Sequence, residues 1–296
     1  MLVETDLPPS QTPAYADAVA FTASVEQSAK RFYTPMAGGR LAWHHWGGDA
    51  SDIIAPLILL PGGFGSWRHW ALNVGPLSEH VPLYVVELPG LGESDEVPTE
   101  GPEDIAQRVV EGIDAHFGAH ASVDLAGFSF GGIIGGHVAA RLGTRARSLA
   151  VIGSNALGMT IEKLTMRKRH RDMSEREVWE SHRHNLATLM LADPARVDDL
   201  AIYLQVETTK RARARSGAVP HSDTLARVLP TVQCPINGIW GARDALVGRF
   251  MHERAEFFER LCDARFSLIE AAGHWAMYEA PGPVNDAILS GIKLAR

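Results

Sequence analysis

Cysteine is nearly absent: Cys234 and Cys262 are the only two in 296 residues. Two isolated thiols exclude a disulfide scaffold and a thiolate metal site, and both are expected to be small core residues of a reduced compartment. Long apolar runs are missing too. No stretch of about eighteen apolar residues occurs, so no membrane span is expected. The N-terminus, Met1-Leu2-Val3-Glu4-Thr5-Asp6, lacks the basic start and apolar centre of an export signal, which makes the cytoplasm the default location. Positive charge is also short: 28 Lys and Arg against 35 Asp and Glu leave a net charge of −7. That argues against nucleic acid as a partner, because phosphate recognition needs a basic face. The longest basic run, Arg167-Lys168-Arg169-His170-Arg171, is surrounded by Asp172, Glu175, Glu177 and Glu180, and reads as a solvated helix face. His170, His182 and His184 lack the carboxylate companions of a metal site. Neither a metal nor a cofactor is expected, and nothing in the chain bears on oligomeric state.

The composition is that of an ordinary globular protein, 46% apolar and 21% charged. A chain of this length can bury a large core. Residues 1–30 carry Pro8, Pro9 and Pro13 and read as an N-terminal extension with one helix over 14–29. Strands over 31–36 and 40–46 flank Ala37-Gly38-Gly39, a hairpin signal. Pro56–Leu60 is a short, wholly apolar run, and short, largely apolar runs recur at Pro82–Leu88, Ser122–Ala126, Leu149–Gly153, Ile236–Trp240 and Phe266–Ile269. Bounded by Gly or Pro, such runs suit strands buried on both faces of a parallel sheet. The stretches 66–80, 103–118, 130–143, 249–262 and 281–294 suit crossover helices. This alternation specifies an α/β, doubly wound, mostly parallel sheet. Only residues 155–230 interrupt it. They hold no convincing strand, and Val178–Ala192 and Val197–Arg213 are amphipathic helix candidates separated by Asp193-Pro194. They are expected to form a helical cap inserted into a core of residues 31–154 and 231–296.

The chemistry centres on Gly127-Phe128-Ser129-Phe130-Gly131, between the run Val123–Ala126 and the small-residue helix Ile133–Leu142. A serine on a sharp strand-to-helix turn projects its hydroxyl above the sheet, and the glycines two before and two after let strand and helix close around it. The amide of Phe130 then lies at a helix N-terminus, where N–H groups favour a developing anion.

With these motifs the chain resembles the α/β-hydrolase fold superfamily, over roughly residues 31–295. The resemblance implies that Ser129 is a nucleophile. It also implies that Leu60-Pro61-Gly62-Gly63-Phe64 is the oxyanion loop, with the amides of Gly63 and Phe130 as donors. Pro61 stands where the family usually has His. The loop Glu87-Leu88-Pro89-Gly90-Leu91-Gly92-Glu93-Ser94-Asp95 also matches the family and is given turn chemistry and cap anchoring rather than a catalytic role.

A serine hydroxyl needs a base, and the base needs an orienting carboxylate; in this fold they follow in the order Ser, acid, His. Of thirteen histidines, His274 in Gly273-His274-Trp275 stands directly after the last strand run. Asp244 in Gly241-Ala242-Arg243-Asp244 follows the strand before it and resembles the family's acid turn; Glu270 is the rival. The expected reaction is hydrolysis of a carboxylic ester or lactone of a medium-sized hydrophobic substrate through an acyl-enzyme. The pocket between sheet and cap is assigned Phe64, Trp67, Phe128, Trp275, Leu189 and Met190 as walls. His69 could line the same pocket, and is read first as a packed helix residue.

Two alternatives stay open. Gly273-His274-Trp275-Ala276-Met277-Tyr278-Glu279 and Leu189–Pro194 are similar to segments of the meta-cleavage-product hydrolases, which would make the substrate a dienone ketone cleaved at a carbon–carbon bond. That family carries a cap Arg and an Asn for the substrate carboxylate, whereas the corresponding region here reads Ala201-Ile202-Tyr203-Leu204-Gln205. Other members of the superfamily are cofactor-free oxygenases, lyases or ligand receptors.

Overall fold

The computed structural model describes residues 9–51 and 54–294; residues 1–8 of the expected extension lie outside them. In chain order the elements are α1 (Pro13–Gln27), β1 (Lys30–Met36), β2 (Gly39–Trp46), β3 (Leu57–Leu60), α2 (Val74–Ser78), β4 (Leu83–Val86), α3 (Pro102–Phe117), β5 (Val123–Phe128), α4 (Phe130–Leu142), β6 (Ala146–Ile152), α5 (Glu175–Asn185), α6 (Asp199–Lys210), α7 (Thr224–Val228), β7 (Ile236–Gly241), α8 (Met251–Glu259), β8 (Ala264–Ile269), α9 (Ala276–Glu279) and α10 (Pro281–Leu294).

The strands form one eight-stranded sheet in the order β1-β2-β4-β3-β5-β6-β7-β8. The β1–β2 and β2–β4 pairs are antiparallel. From β4 across to β8 every pairing is parallel. The apolar character of the central strands follows from burial on both faces. In β3, Ile58 and Leu60 face the cluster that holds Val109 and Ile113 of α3, Ile133 and Ile134 of α4, and Phe258 of α8. Leu57 and Leu59 face the opposite cluster, with Leu77 of α2 and Val284 and Ile288 of α10. That is the period-two alternation of a pleated strand. At about 25 cal/mol per Å² of apolar surface removed from water, these two layers supply the main drive to fold. Pro35, without an amide hydrogen, sits in the edge strand β1, where a ladder bond is dispensable.

Between β6 and β7 the chain leaves the sheet and returns as α5, α6 and α7. The 87–95 loop fastens this insertion: Gly90 O accepts from the Arg213 amide at 2.8 Å and from the Ala214 amide at 3.1 Å, and the Arg213 side chain donates to Gly92 O at 3.2 Å. Arg211 pairs with Glu93 at 3.3 Å. Helix α1 joins the same assembly. Tyr15 packs on Trp179 of α5 and Tyr203 of α6, with ring centroids 5.6 and 5.3 Å apart, and Glu26 receives the buried Arg68 guanidinium at 3.3 Å. No helix of the described residues is long and apolar enough to cross a membrane.

Four expectations need correction. The helix expected over 66–80 divides into a 3₁₀ turn, Trp67–Trp70, and the short α2. Pro76 has no amide hydrogen and is tolerated only in a first helical turn, so α2 restarts just ahead of it. The helix expected over Val178–Ala192 begins earlier, under a capping box of Ser174 and Glu177, and closes in a π turn, Leu186–Met190. Residues 159–170 have no regular structure, so the basic run is not a helix face. Cys262 is exposed, because it lies in the turn between α8 and β8; Cys234 is buried as expected.

Candidate active site

Ser129, Asp244 and His274 follow the C-terminal ends of β5, β7 and β8, the edge where open α/β sheets gather their ligands. Ser129 has φ 51° and ψ −114°, a conformation that costs a non-glycine residue about 1–3 kcal/mol. Its surroundings hold it there. Its amide donates to Ile152 O at 2.7 Å, and Ser154 Oγ donates to its carbonyl at 2.8 Å. The glycine frame is steric: a Cβ on Gly127 would lie 2.3 Å from Gly131 O, and one on Gly131 only 2.2 Å from Leu60 O.

His274 Nε2 is 3.1 Å from Ser129 Oγ. On the other side, His274 Nδ1 is 2.8 Å from Asp244 Oδ2. Asp244 is 1% exposed and His274 4%. The second carboxylate oxygen, Asp244 Oδ1, accepts from the Leu246 amide at 2.9 Å, which fixes the carboxyl plane. Glu270, the rival acid, is exposed. Gly63 and Phe130 meet across the mouth of the turn: a Cβ on Gly63 would lie 3.7 Å from Phe130 Cβ. Phe130 opens α4, so its amide sits at the positive end of a thirteen-residue helix.

A cavity of about 380 Å³ opens over Ser129 and His274. Gly63, Phe64, Phe128, Phe130, Leu189 and Met190 line it. Phe64 stands at its rim, 43% exposed, in a left-handed conformation of φ 57°. Trp67 and Trp275, expected in the wall, are not there. Both are 1% exposed inside the core. Trp275 donates its indole N–H to His69 O at 2.9 Å, and its ring lies 4.7 Å from that of Tyr278. Trp67 packs against Trp46 and under the Arg68 guanidinium.

The cavity is also less apolar than expected. Asn155, Arg169, His182, Asn185, Gln205 and Thr209 form part of its surface. Arg169, from the irregular segment, donates to His182 Nε2 at 2.9 Å. Burial, with help from Arg169 and Lys210, lowers the His182 pKa to about 4, so this ring is a neutral acceptor. The buried amide oxygens Asn155 Oδ1 and Gln205 Oε1 have no protein partner among the described residues.

Three residues that hold the site are not among those assigned to it from the sequence, where the Glu87 loop is read for turn chemistry and cap anchoring and His69 for packing ahead of pocket lining. Glu279 accepts from the Gly273 amide at 2.6 Å through one carboxylate oxygen, and from the Ala192 and Asp193 amides at 2.8 and 3.0 Å through the other. It thereby joins the histidine loop to the insertion. Glu87 accepts from the amides of Trp67 at 3.2 Å and Glu93 at 2.6 Å. Burial pushes the Glu87 carboxyl up, but His44 and the two amides outweigh it and hold it below the usual carboxylate range. His69 lines the cavity and is 4% exposed. Burial, and then His274, lowers its pKa to about 3.

The chain as a whole is similar to several known proteins. The profile of the family described as "Alpha/beta hydrolase family" matches residues 57–287. The chain is 28% identical, over 86% of its length and 68% of the relative's, to a dihydrolipoyllysine-residue acetyltransferase component of an acetoin cleaving system from Pseudomonas putida. It is 27% identical, over 79% of its length and 85% of the relative's, to a 2-succinyl-6-hydroxy-2,4-cyclohexadiene-1-carboxylate synthase from Yersinia enterocolitica. Among solved structures it is similar to naproxen esterase from Bacillus subtilis, with a TM-score of 0.70, 19% identity and coverage of 94% of this chain and 96% of that one.

Proposed function

The chain belongs to the alpha/beta hydrolase family, and from that premise we propose that it is a serine hydrolase of carboxylic esters or lactones, with Ser129 as nucleophile, His274 as base and Asp244 as orienting acid. The unbroken relay from Asp244 Oδ2 through the imidazole to Ser129 Oγ, at 2.8 and 3.1 Å, carries the reading. Asp244 keeps the His274 hydrogen on Nδ1, which leaves Nε2 free to accept the Ser129 proton. The Ser129 oxygen attacks the ester carbonyl, and the amides of Gly63 and Phe130 receive the oxyanion. A single such donor contributes about 3–4 kcal/mol to the transition state elsewhere. The tetrahedral intermediate collapses as His274 protonates the leaving alcohol. Water then attacks the acyl-Ser129 ester by the same route in reverse, releasing the acid and restoring the triad. Residues 155–230 act as a cap over the cavity, and residues 31–154 with 231–296 act as the core.

The substrate of this reading is medium-sized, with apolar contacts near Phe128, Phe130, Leu189 and Met190 and polar contacts at the cap end. The acetyltransferase and esterase names among the relatives agree with chemistry at an acyl carbon. The synthase relative favours a second reading, in which the same triad serves a reaction other than hydrolysis. A panel of p-nitrophenyl esters, lactones and one dienone ring-fission product separates the two. Ester or lactone turnover that is lost in Ser129→Ala supports the first; ligand binding with no turnover of any ester or lactone overturns it.

A further inference from the structure

We infer that His69 is the positioning residue of the oxyanion loop, holding Gly62-Gly63 in register with Ser129 and His274; the inference rests on the ester-hydrolase reading above. The loop cannot fasten itself at its first position, because Pro61 has neither an amide hydrogen nor a polar side chain. The fastening comes instead from the 3₁₀ turn that follows. The Gly62 amide donates to His69 Nδ1 at 3.1 Å, and the loop closes on itself through Gly65 N–H to Gly62 O at 2.9 Å. The contact is close enough to require glycine. A Cβ on Gly65 would lie 2.7 Å from His69 Nδ1, and one on Gly62 would lie 2.9 Å from the Phe128 ring.

The same histidine touches the other two site loops. Its ring meets the edge of Phe128, the residue before Ser129, at a centroid distance of 5.4 Å and 86°. It meets Trp275, the residue after His274, at 5.6 Å and 66°. Its carbonyl accepts the Trp275 indole N–H at 2.9 Å. One buried side chain thus borders the segments that carry Gly63, Ser129 and His274. Because Nδ1 accepts the Gly62 amide, the single hydrogen of the neutral ring resides on Nε2. Burial disfavours the imidazolium, so the acceptor persists across the working pH range.

The test compares His69→Leu, which removes the acceptor, with His69→Asn, whose carboxamide oxygen restores one at about the position of Nδ1. Freeing the loop misaims one oxyanion donor. His69→Leu is expected to lower kcat for p-nitrophenyl butyrate by about 10- to 100-fold, a fraction of what complete loss of a donor causes, with KM within about twofold. His69→Asn is expected to recover at least half of that loss on a logarithmic scale. The rate of Ser129 phosphonylation by a fluorophosphonate, in which the serine oxygen displaces fluoride from phosphorus, should fall in parallel. Equal losses in both variants, or wild-type kcat in His69→Leu, overturn the inference. Should His69→Leu not fold, the ¹⁵N spectrum of the wild-type imidazoles decides. An Nε2–H tautomer of His69 from pH 8 to pH 5 supports the assignment, and an Nδ1–H tautomer or an imidazolium overturns it. A wild-type protein that is neither phosphonylated nor active on any ester refutes the hydrolase reading instead, and the ¹⁵N spectrum still decides the place of His69.

Discussion

Replacing Asp244 by asparagine should nearly abolish turnover while leaving the fold intact, and the geometry says why the change of one atom matters. The side chain is 1% exposed and makes two bonds: Oδ1 accepts from the Leu246 amide at 2.9 Å, and Oδ2 faces His274 Nδ1 at 2.8 Å. A carboxamide has only one oxygen. Leu246 offers a hydrogen and must keep an acceptor, or a buried amide would be left unpaired. The asparagine oxygen therefore turns to Leu246, and its NH₂ turns to His274. The imidazole then accepts on Nδ1 and carries its hydrogen on Nε2, aimed at Ser129 Oγ 3.1 Å away. In that tautomer His274 donates to the serine and cannot take its proton. A loss in kcat of about 10⁴-fold is expected, equivalent to about 5 kcal/mol, with KM little changed. Initial rates on p-nitrophenyl butyrate measure it, with circular dichroism as the control for folding. Glu270→Gln, at an exposed position, should stay within about twofold of wild type. An Asp244→Asn enzyme within tenfold of wild type, or a larger loss in Glu270→Gln, would refute the assignment of the acid.

Three further outcomes follow from the same contacts. Ser129→Gly should be inactive yet more stable by about 1 kcal/mol in urea denaturation, because glycine relieves φ 51° at some cost in unfolded-chain entropy; a less stable variant would show that the turn stores no strain. Glu279→Ala leaves the amides of Gly273, Ala192 and Asp193 without their acceptor and should cost about 2–4 kcal/mol of stability, with kcat reduced by loosening of the His274 loop; a change below 1 kcal/mol would mean that water replaces the carboxylate. Stability should also fall as pH drops below about 6.5. His69 and His182 have folded pKa values of about 3 and about 4, below the ordinary value of 6.5. The unfolded chain therefore binds more protons than the folded one between pH 6.5 and 4, and the slope approaches roughly 2–3 kcal/mol per pH unit for two such groups. Urea midpoints that stay flat between pH 7 and pH 5 would contradict the neutral, buried state of these rings.

Much of this architecture could be read from the sequence because it depends on local patterns. The strands that precede Ser129 and Asp244 are short, largely apolar runs that close on Gly127 and Gly241, and burial on both sheet faces produces that pattern directly; β8, ahead of His274, is a half-buried edge strand legible from its short run Phe266–Ile269 alone. Ser129 was legible because a strained turn demands small neighbours at fixed offsets. The failures share a different origin. Trp67 and Trp275 looked like pocket walls because they adjoin site motifs, yet adjacency along the chain does not say which way a ring turns; both turn into the core. Arg169 looked like charge on a solvated helix face, whereas residues 159–170 have no regular structure and Arg169 lines the cavity. Glu279 and Glu87 act by accepting amides from other segments, and a carboxylate awaiting a distant partner has no periodicity. The N-terminal helix was expected from composition, but its docking through Tyr15 and Glu26 depends on α5, α6 and the buried Arg68.

Every step of the proposed reaction depends on the hydroxyl of Ser129 being the nucleophile. Mass spectrometry after treatment with a fluorophosphonate tests it most directly. One phosphonyl group per chain is expected, located on the peptide that contains Ser129, with loss of esterase activity in proportion to labelling and no label on Ser129→Ala. A label on any other residue, or full activity after Ser129 has been labelled, would contradict it.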